Sequence, residues 1–176
     1  MNAIADGLRS DYAETQAEIA RLHEKCRSLI LSTLDEHNQP HASYAPFIHH
    51  HGCYYIFVSG LAPHTRALQT HPEHVSLLII EDEADSRNIY ARSRLSYQVL
   101  AHIIERHSDE CISVLKKMRT RLGNTVDMLA QLTDFVMVRL MPRQGTLTMG
   151  FGKNYILDAE HPNIVTPITA ELLKNR

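Results

Sequence analysis

Apolar and polar residues alternate with period two over several short stretches of this chain, and with a helical period over a few others. Residues 28–34, Ser-Leu-Ile-Leu-Ser-Thr-Leu, read as a strand. Asp35 to Pro40 is a turn cluster. His41 to His49 reads as a second strand, and Pro46, which has no N–H to give a ladder, places that position at an edge or a bulge. Cys53 to Ser59 is a third strand. His74 to Ile80 is almost continuously apolar and reads as a central one. Arg92 to Ile103 reads as a long strand that puts Arg92 and Arg94 on one face. Phe135–Leu140, Gln144–Met149 and Tyr155–Leu157 complete the set.

The helical period recurs along the chain. Between Ser10 and Lys25, Tyr12, Ile19 and Leu22 share a face. Pro63 suits the first position of a short helix, because its missing N–H would have no partner there, and Pro72 closes that segment. Ser108 caps a helix running to Leu122 with an apolar stripe of Ile112, Leu115, Met118 and Leu122. Cys111 stands where a capping box would carry a carboxylate, and Gly123 is the stop. Thr125–Gln131 is a further short helix. The tail, Ala159–Arg176, reads as a loop and then a short helix at Thr169–Lys174.

Six or seven strands with short connections predict a mainly β, α+β fold: a small antiparallel barrel with flanking helices. One domain spans 1–176, with an N-terminal helix at about 10–26 and a barrel at about 28–158. The barrel is interrupted by helices at about 108–131 and followed by the tail 159–176. A barrel of this size is filled by its own side chains, so a large cofactor is expected outside it, in a groove between two chains.

Charge and composition narrow the function. The chain has 18 basic and 20 acidic residues for a net charge of −2, and no basic stripe of the kind a non-specific nucleic-acid binder needs. No apolar run reaches the length of a membrane span, and the N-terminus lacks a basic-then-apolar leader. The three cysteines, Cys26, Cys53 and Cys111, are odd in number and widely spaced. They read as reduced thiols of a cytoplasmic protein, without zinc-ligand spacing. Twelve histidines fit metal or haem chemistry or surface drift, and composition does not choose between them. His49-His50-His51-Gly52 reads as a hairpin turn rather than a metal site, since neighbours on an extended chain point to opposite faces.

Three stretches carry candidate chemistry. The turn from Ser59 into the helix at Pro63 gathers two hydroxyls (Ser59, Thr65), an imidazole (His64) and a guanidinium (Arg66) around a helix start, a combination suited to a phosphate or carboxylate. Arg92 and Arg94 make either a surface ion-pair group or a clamp for phosphate or propionate. Gly150-Phe151-Gly152 is either a bulge or a place where a flat ligand approaches the backbone. The acidic run Glu81–Asp85 reads as a solvated loop.

Several segments, in order, carry a resemblance. They are Ser43-Tyr44-Ala45-Pro46-Phe47, Ser59 through Leu68, Ile80-Glu81-Asp82-Glu83, Ala91-Arg92-Ser93-Arg94-Leu95, Gln131-Leu132-Thr133-Asp134-Phe135 and Gly150 through Tyr155. Over about Ser28 to Tyr155 the chain resembles the HugZ/HutZ haem-utilisation family, within the FMN-binding split-barrel superfamily that includes pyridoxamine 5′-phosphate oxidase. The resemblance implies a homodimer of six-stranded split barrels with a ligand at the dimer interface: haem in one branch, FMN in the other. It implies that His64 and Arg92 lie near the haem, and that Asp134 hydrogen-bonds an iron-ligating histidine across the interface, fixing its tautomer. Haem-binding members supply that histidine from the C-terminal tail. Residues 164–176 contain no histidine, so either His161, the nearby candidate iron ligand, or another histidine takes that place, or the chain does not ligate haem in the family way. Haem utilisation, as carrier or as oxidative haem-degrading enzyme with Arg92 and Arg94 on the propionates, is the first expectation. The alternatives are an FMN-dependent oxidoreductase, with Ser59, Thr65 and Arg66 on the phosphate, and a split barrel that has lost its cofactor.

Overall fold

A computed structural model describes residues 3–162 and 164–169. In chain order these form α1 (Ala3–Lys25), β1 (Ser28–Leu34), β2 (Pro40–His50), β3 (Cys53–Ser59), α2 (Pro63–Thr70) and β4 (Val75–Ile80). Then follow β5 (Arg94–Ile104), α3 (Asp109–Leu122), α4 (Thr125–Gln131), β6 (Phe135–Thr148), β7 (Asn154–Asp158) and β8 (Val165–Pro167). The strand order is β3-β2-β1-β4-β5-β6-β7-β8, and β3 also pairs with β6, so β1 to β6 close on themselves. This is the expected six-stranded antiparallel barrel, extended by β7 and β8.

Local signals set many boundaries. His51 (φ 49°) and Gly52 (φ 74°) make the tight turn of the β2–β3 hairpin. The Ser108 hydroxyl accepts the Cys111 N–H and starts α3. Pro63 opens α2, with Ala62 as a cap that offers no side-chain bond. The Gly150-Phe151-Gly152 bend is a hairpin loop closed by the Met149 N–H on the Lys153 carbonyl, with both glycines at positive φ.

Four expectations change. β5 begins at Arg94, so Arg92 is not in the strand; it follows a 3-10 turn at Ile89–Ala91 that the Asn88 side chain caps through the Tyr90 N–H. Phe135–Thr148 is one strand of 14 residues rather than two. Its Phe135–Leu140 part pairs with β3 and its Gln144–Thr148 part with β7, so Pro142 falls between those two ladders. β8, in the tail, was not expected; it pairs Val165 to Pro167 with β7. α1 starts earlier than Ser10. The expected tail helix lies, from residue 170 on, outside the described residues.

The chain divides into two compact units. The first comprises Met1–Cys26, Leu78–Tyr97 and Arg143–Arg176; the second comprises Arg27–Leu77 and Gln98–Pro142. In the second unit β3 is buried on both faces. Tyr54, Ile56 and Val58 point one way, and Tyr54 stacks obliquely on Phe47 at 5.8 Å. Tyr55 points the other way, into a core formed with Ile48, Ile104, Met137 and the helix residues Cys111, Val114, Met118 and Val126. The inserted helices therefore serve to cover the outer face of β3 and β6. Glu110 fastens α3 to it, accepting from the Tyr55 hydroxyl and from Arg139, each at 2.9 Å. Burial, helped by Glu110, pushes the Tyr55 phenol up to about 12. In the first unit Gly145 is required by its neighbours: a Cβ there would stand 2.4 Å from the Tyr97 ring and 2.5 Å from the Ser96 carbonyl.

Candidate functional site

In the second unit, the end of β3 and the start of β6 meet at Ser59 and Asp134. Strand register pairs Ser59 with Phe135, which brings Asp134 alongside although 75 residues separate the two in sequence. The Ser59 hydroxyl donates to Asp134 Oδ2 at 2.6 Å and accepts the Leu61 N–H at 3.2 Å. The Gly60 N–H donates to the Asp134 carbonyl at 2.6 Å. A Cβ on Gly60 would stand 2.8 Å from that carbonyl, so the approach needs glycine. Thr65, fully buried, donates its hydroxyl to the Ser59 carbonyl at 2.6 Å. The Thr65 N–H turns back to the Ala62 carbonyl.

This geometry revises the phosphate-clamp expectation. Both hydroxyls are engaged inside the turn, and Thr65 is sealed from solvent. Arg66 is exposed and pairs with Glu36 at 3.3 Å. The adjoining cleft, about 630 Å³, is lined by Asp35 and Glu36 as well as by His37, His41 and Arg66. Two carboxylates at its rim oppose a phosphate dianion. The residues present do not fit the FMN phosphate. His64 is half-buried, and its Nε2 has no hydrogen-bond partner among the described residues. Burial, and then the neighbouring His41, hold it below the ordinary imidazole value, which favours the uncharged ring.

In the first unit, Arg92 is held rigidly. Its Nε and Nη2 donate to the Glu81 carbonyl at 3.0 and 2.5 Å, and its Nη1 donates to Glu83 at 3.0 Å. Arg94 donates to the Arg92 carbonyl at 3.0 Å, so the two guanidiniums belong to one cluster although Arg92 lies outside the strand. The acidic run is not simply solvated. The Glu81 carboxylate meets Arg21 at 2.9 Å, Arg21 also meets Glu18 at 2.6 Å, and Glu18 accepts the hydroxyl of buried Ser93. Burial pushes the Glu18 carboxyl up, but the bonds from Arg21 and Ser93 outweigh it and leave it below the usual range.

His161, also in the first unit, is exposed, and its Nδ1 lies 3.0 Å from Asp158 Oδ2. That contact raises the His161 pKa and lowers that of Asp158. With the proton on Nδ1, Nε2 keeps its lone pair, the arrangement of a metal-ligating histidine oriented by a carboxylate. The carboxylate that orients His161 within this chain is thus Asp158, while Asp134 is engaged by Ser59. Sequence reasoning missed Asp158, though its spacing to His161 is a local signal; it missed Glu81 and Glu83 because only tertiary contacts give them partners. Within the first unit, an imidazole that can keep a free Nε2 lone pair and two guanidiniums are donor types that suit iron and carboxylates.

A family model described as pyridoxamine 5′-phosphate oxidase matches residues 15–149. The protein described as heme oxygenase HutZ, from Vibrio cholerae serotype O1, is 37% identical over 140 residues, covering 80% of this chain and 79% of the relative. A crystal structure of HutZ from Vibrio cholerae, there described as a heme storage protein, matches with a TM-score of 0.71 at 36% identity, covering 77% of this chain and 94% of the other. ChuZ of Campylobacter jejuni matches with a TM-score of 0.82 at 24% identity, covering 90% of this chain and 64% of the other, a likeness of fold. The barrel closed by β3 on β6, the ordered segments from Ser43 to Tyr155 and these matches agree: the chain belongs to the HugZ/HutZ haem-utilisation family of the pyridoxamine 5′-phosphate oxidase-like split-barrel superfamily.

Proposed function

We propose that this protein binds haem in the cytoplasm as part of haem utilisation. The observation that carries the reading is the 37% identity to HutZ over four-fifths of the chain. His161 would ligate iron through Nε2, steadied by Asp158; Arg92 and Arg94 would hold the propionates. For the second unit the reading keeps the expectation that Asp134 and His64 take part in haem binding. Bound haem supplies redox-active iron, and HutZ is described both as an oxygenase and as a storage protein.

The functional unit in this reading is a homodimer. An uncharged sheet face supports it. Ile30 and Tyr44 lie opposite each other across β1 and β2, 42% and 68% exposed, flanked on the same face by Ser28, Ser32, Ala42 and Pro46. A surface of this kind, with no charge on it, suits a second copy of the chain.

The test is a haemin titration followed at the Soret band. Saturation at one haem per chain is the expected result, and loss of the band shift in His161→Ala identifies the ligand. No saturable shift would overturn the reading. Adding a reductant and oxygen to the loaded protein then separates a catalyst, in which the band decays, from a carrier, in which it persists.

A further inference from the structure

Arg92 and its two acidic neighbours are unequal partners. The Glu81 contact is made by a backbone carbonyl at the end of β4 and takes two guanidinium nitrogens, at 3.0 and 2.5 Å. Glu81 is itself fixed, since its carboxylate meets Arg21 at 2.9 Å and its N–H donates to the Ser93 carbonyl. The Arg92 side chain is accordingly only 18% exposed. Glu83 is different. It reaches Nη1 at 3.0 Å from a single 3-10 turn, Glu83–Asp85, and its side chain is 71% exposed. Its carboxylate bonds Arg92, and the turn that carries it is secured elsewhere, by Asp82 accepting the Ala84 N–H at 2.9 Å. The cation is built in, and its counter-anion is loosely attached.

A half-buried guanidinium fixed by a backbone carbonyl and covered by one solvated carboxylate has the form of an anion site with an internal occupant. The geometry points to Glu83 as a competitor for Arg92: the Glu83 carboxylate occupies Nη1 until the carboxylate of a bound ligand displaces it. The inference rests on the haem reading, in which Arg92 takes a propionate, and adds what regulates that contact. Displacement exchanges one Arg–carboxylate pair for another and returns Glu83 to water, where an exposed carboxylate is well hydrated. Its cost is therefore small, and Glu83 tunes the affinity for carboxylated porphyrin without abolishing binding.

The experiment compares wild type with Glu83→Gln, which keeps the shape of the side chain and removes the charge. Both are titrated with haemin and with haemin dimethyl ester, whose propionates are blocked. Asp85→Asn serves as a control, because it removes the same charge from the same turn, and Asp85 meets Lys25 rather than Arg92. An exposed ion pair supports a gain of up to about fivefold in haemin affinity for Glu83→Gln. The expected result is that gain, with no gain for the dimethyl ester and none for Asp85→Asn. Equal haemin affinity in wild type and Glu83→Gln overturns the inference while leaving haem binding in place. A gain of equal size for the ester, or for Asp85→Asn, also overturns it, since the effect would then be general charge rather than occupancy. If neither wild type nor Glu83→Gln binds haemin saturably, the haem reading falls and takes the inference with it.

Discussion

Removing the Ser59 hydroxyl tests whether the Ser59–Asp134 pair is the tie that sets the α2 turn against β6. The bond is short, 2.6 Å, and its acceptor is a carboxylate, so it belongs to the stronger charge-assisted class. Hydrogen bonds to charged groups contribute roughly 1.5–3 kcal/mol, and partial exposure of both residues places this one at the lower end, about 1.5 kcal/mol. The second bond lost in Ser59→Ala, from the exposed Leu61 N–H at 3.2 Å, is readily replaced by water. Asp134→Ala leaves the Gly60 N–H on the Asp134 carbonyl untouched, because that contact is backbone. The pair is therefore suited to a double-mutant cycle: Ser59→Ala, Asp134→Ala and both together, unfolded in urea at one protein concentration. The expected coupling is about 1.5 kcal/mol, and each single variant should melt about 3–6 °C below wild type. A coupling within about 0.3 kcal/mol of zero would mean that the two side chains act independently, and the tie would be refuted.

Other consequences follow from the same geometry. Thr65→Val keeps the volume of a fully buried side chain but removes one of two donors to the Ser59 carbonyl, which keeps the Ala62 N–H; it should cost about 1 kcal/mol in urea unfolding, and a neutral result would show that the buried hydroxyl is not structural. Gly145→Ala places a methyl against the Tyr97 ring and the Ser96 carbonyl, and should lower stability by about 2–3 kcal/mol, against wild-type behaviour if the strand can shift. With both turn hydroxyls engaged, FMN should bind no more tightly than riboflavin in equilibrium fluorescence titrations; a large preference for FMN would restore the phosphate clamp. Asp158 raises the His161 pKa above 6.5, so the pair's contribution to stability is present while His161 is protonated and Asp158 ionised. It is lost as pH rises through the raised His161 value, and also as pH falls through the lowered Asp158 value. Iron ligation by His161 should run the opposite way at the upper edge, growing as pH rises. Asp158→Asn should move that midpoint down, and an unmoved midpoint would remove His161 as the ligand.

The sequence by itself determined the elements whose causes are local. Alternation in Ser28–Leu34 and Cys53–Ser59, the positive-φ turn at His51-Gly52, Pro63 at a helix start and Ser108 as a cap each depend on a few adjacent residues, and the structure has them where those residues put them. The barrel itself was legible because strand count and spacing are sequence properties, and the ordered segments that carry the family resemblance are as well. Tertiary structure alone decided the partners. Ser59 meets Asp134 only because β3 and β6 pair in one register, and a one-residue slip would turn each side chain to the other face. Phe135–Leu140 and Gln144–Met149 read as two strands, yet β6 runs through both because β3 and β7 divide its edge between them. The acidic run Glu81–Asp85 read as a solvated loop, and folding makes Glu81 and Glu83, with Arg21 and Glu18, a network around Arg92 and Ser93. Charges pair by distance in space, which periodicity along a chain does not encode, so the scaffold could be read from the sequence and the site's connections could not.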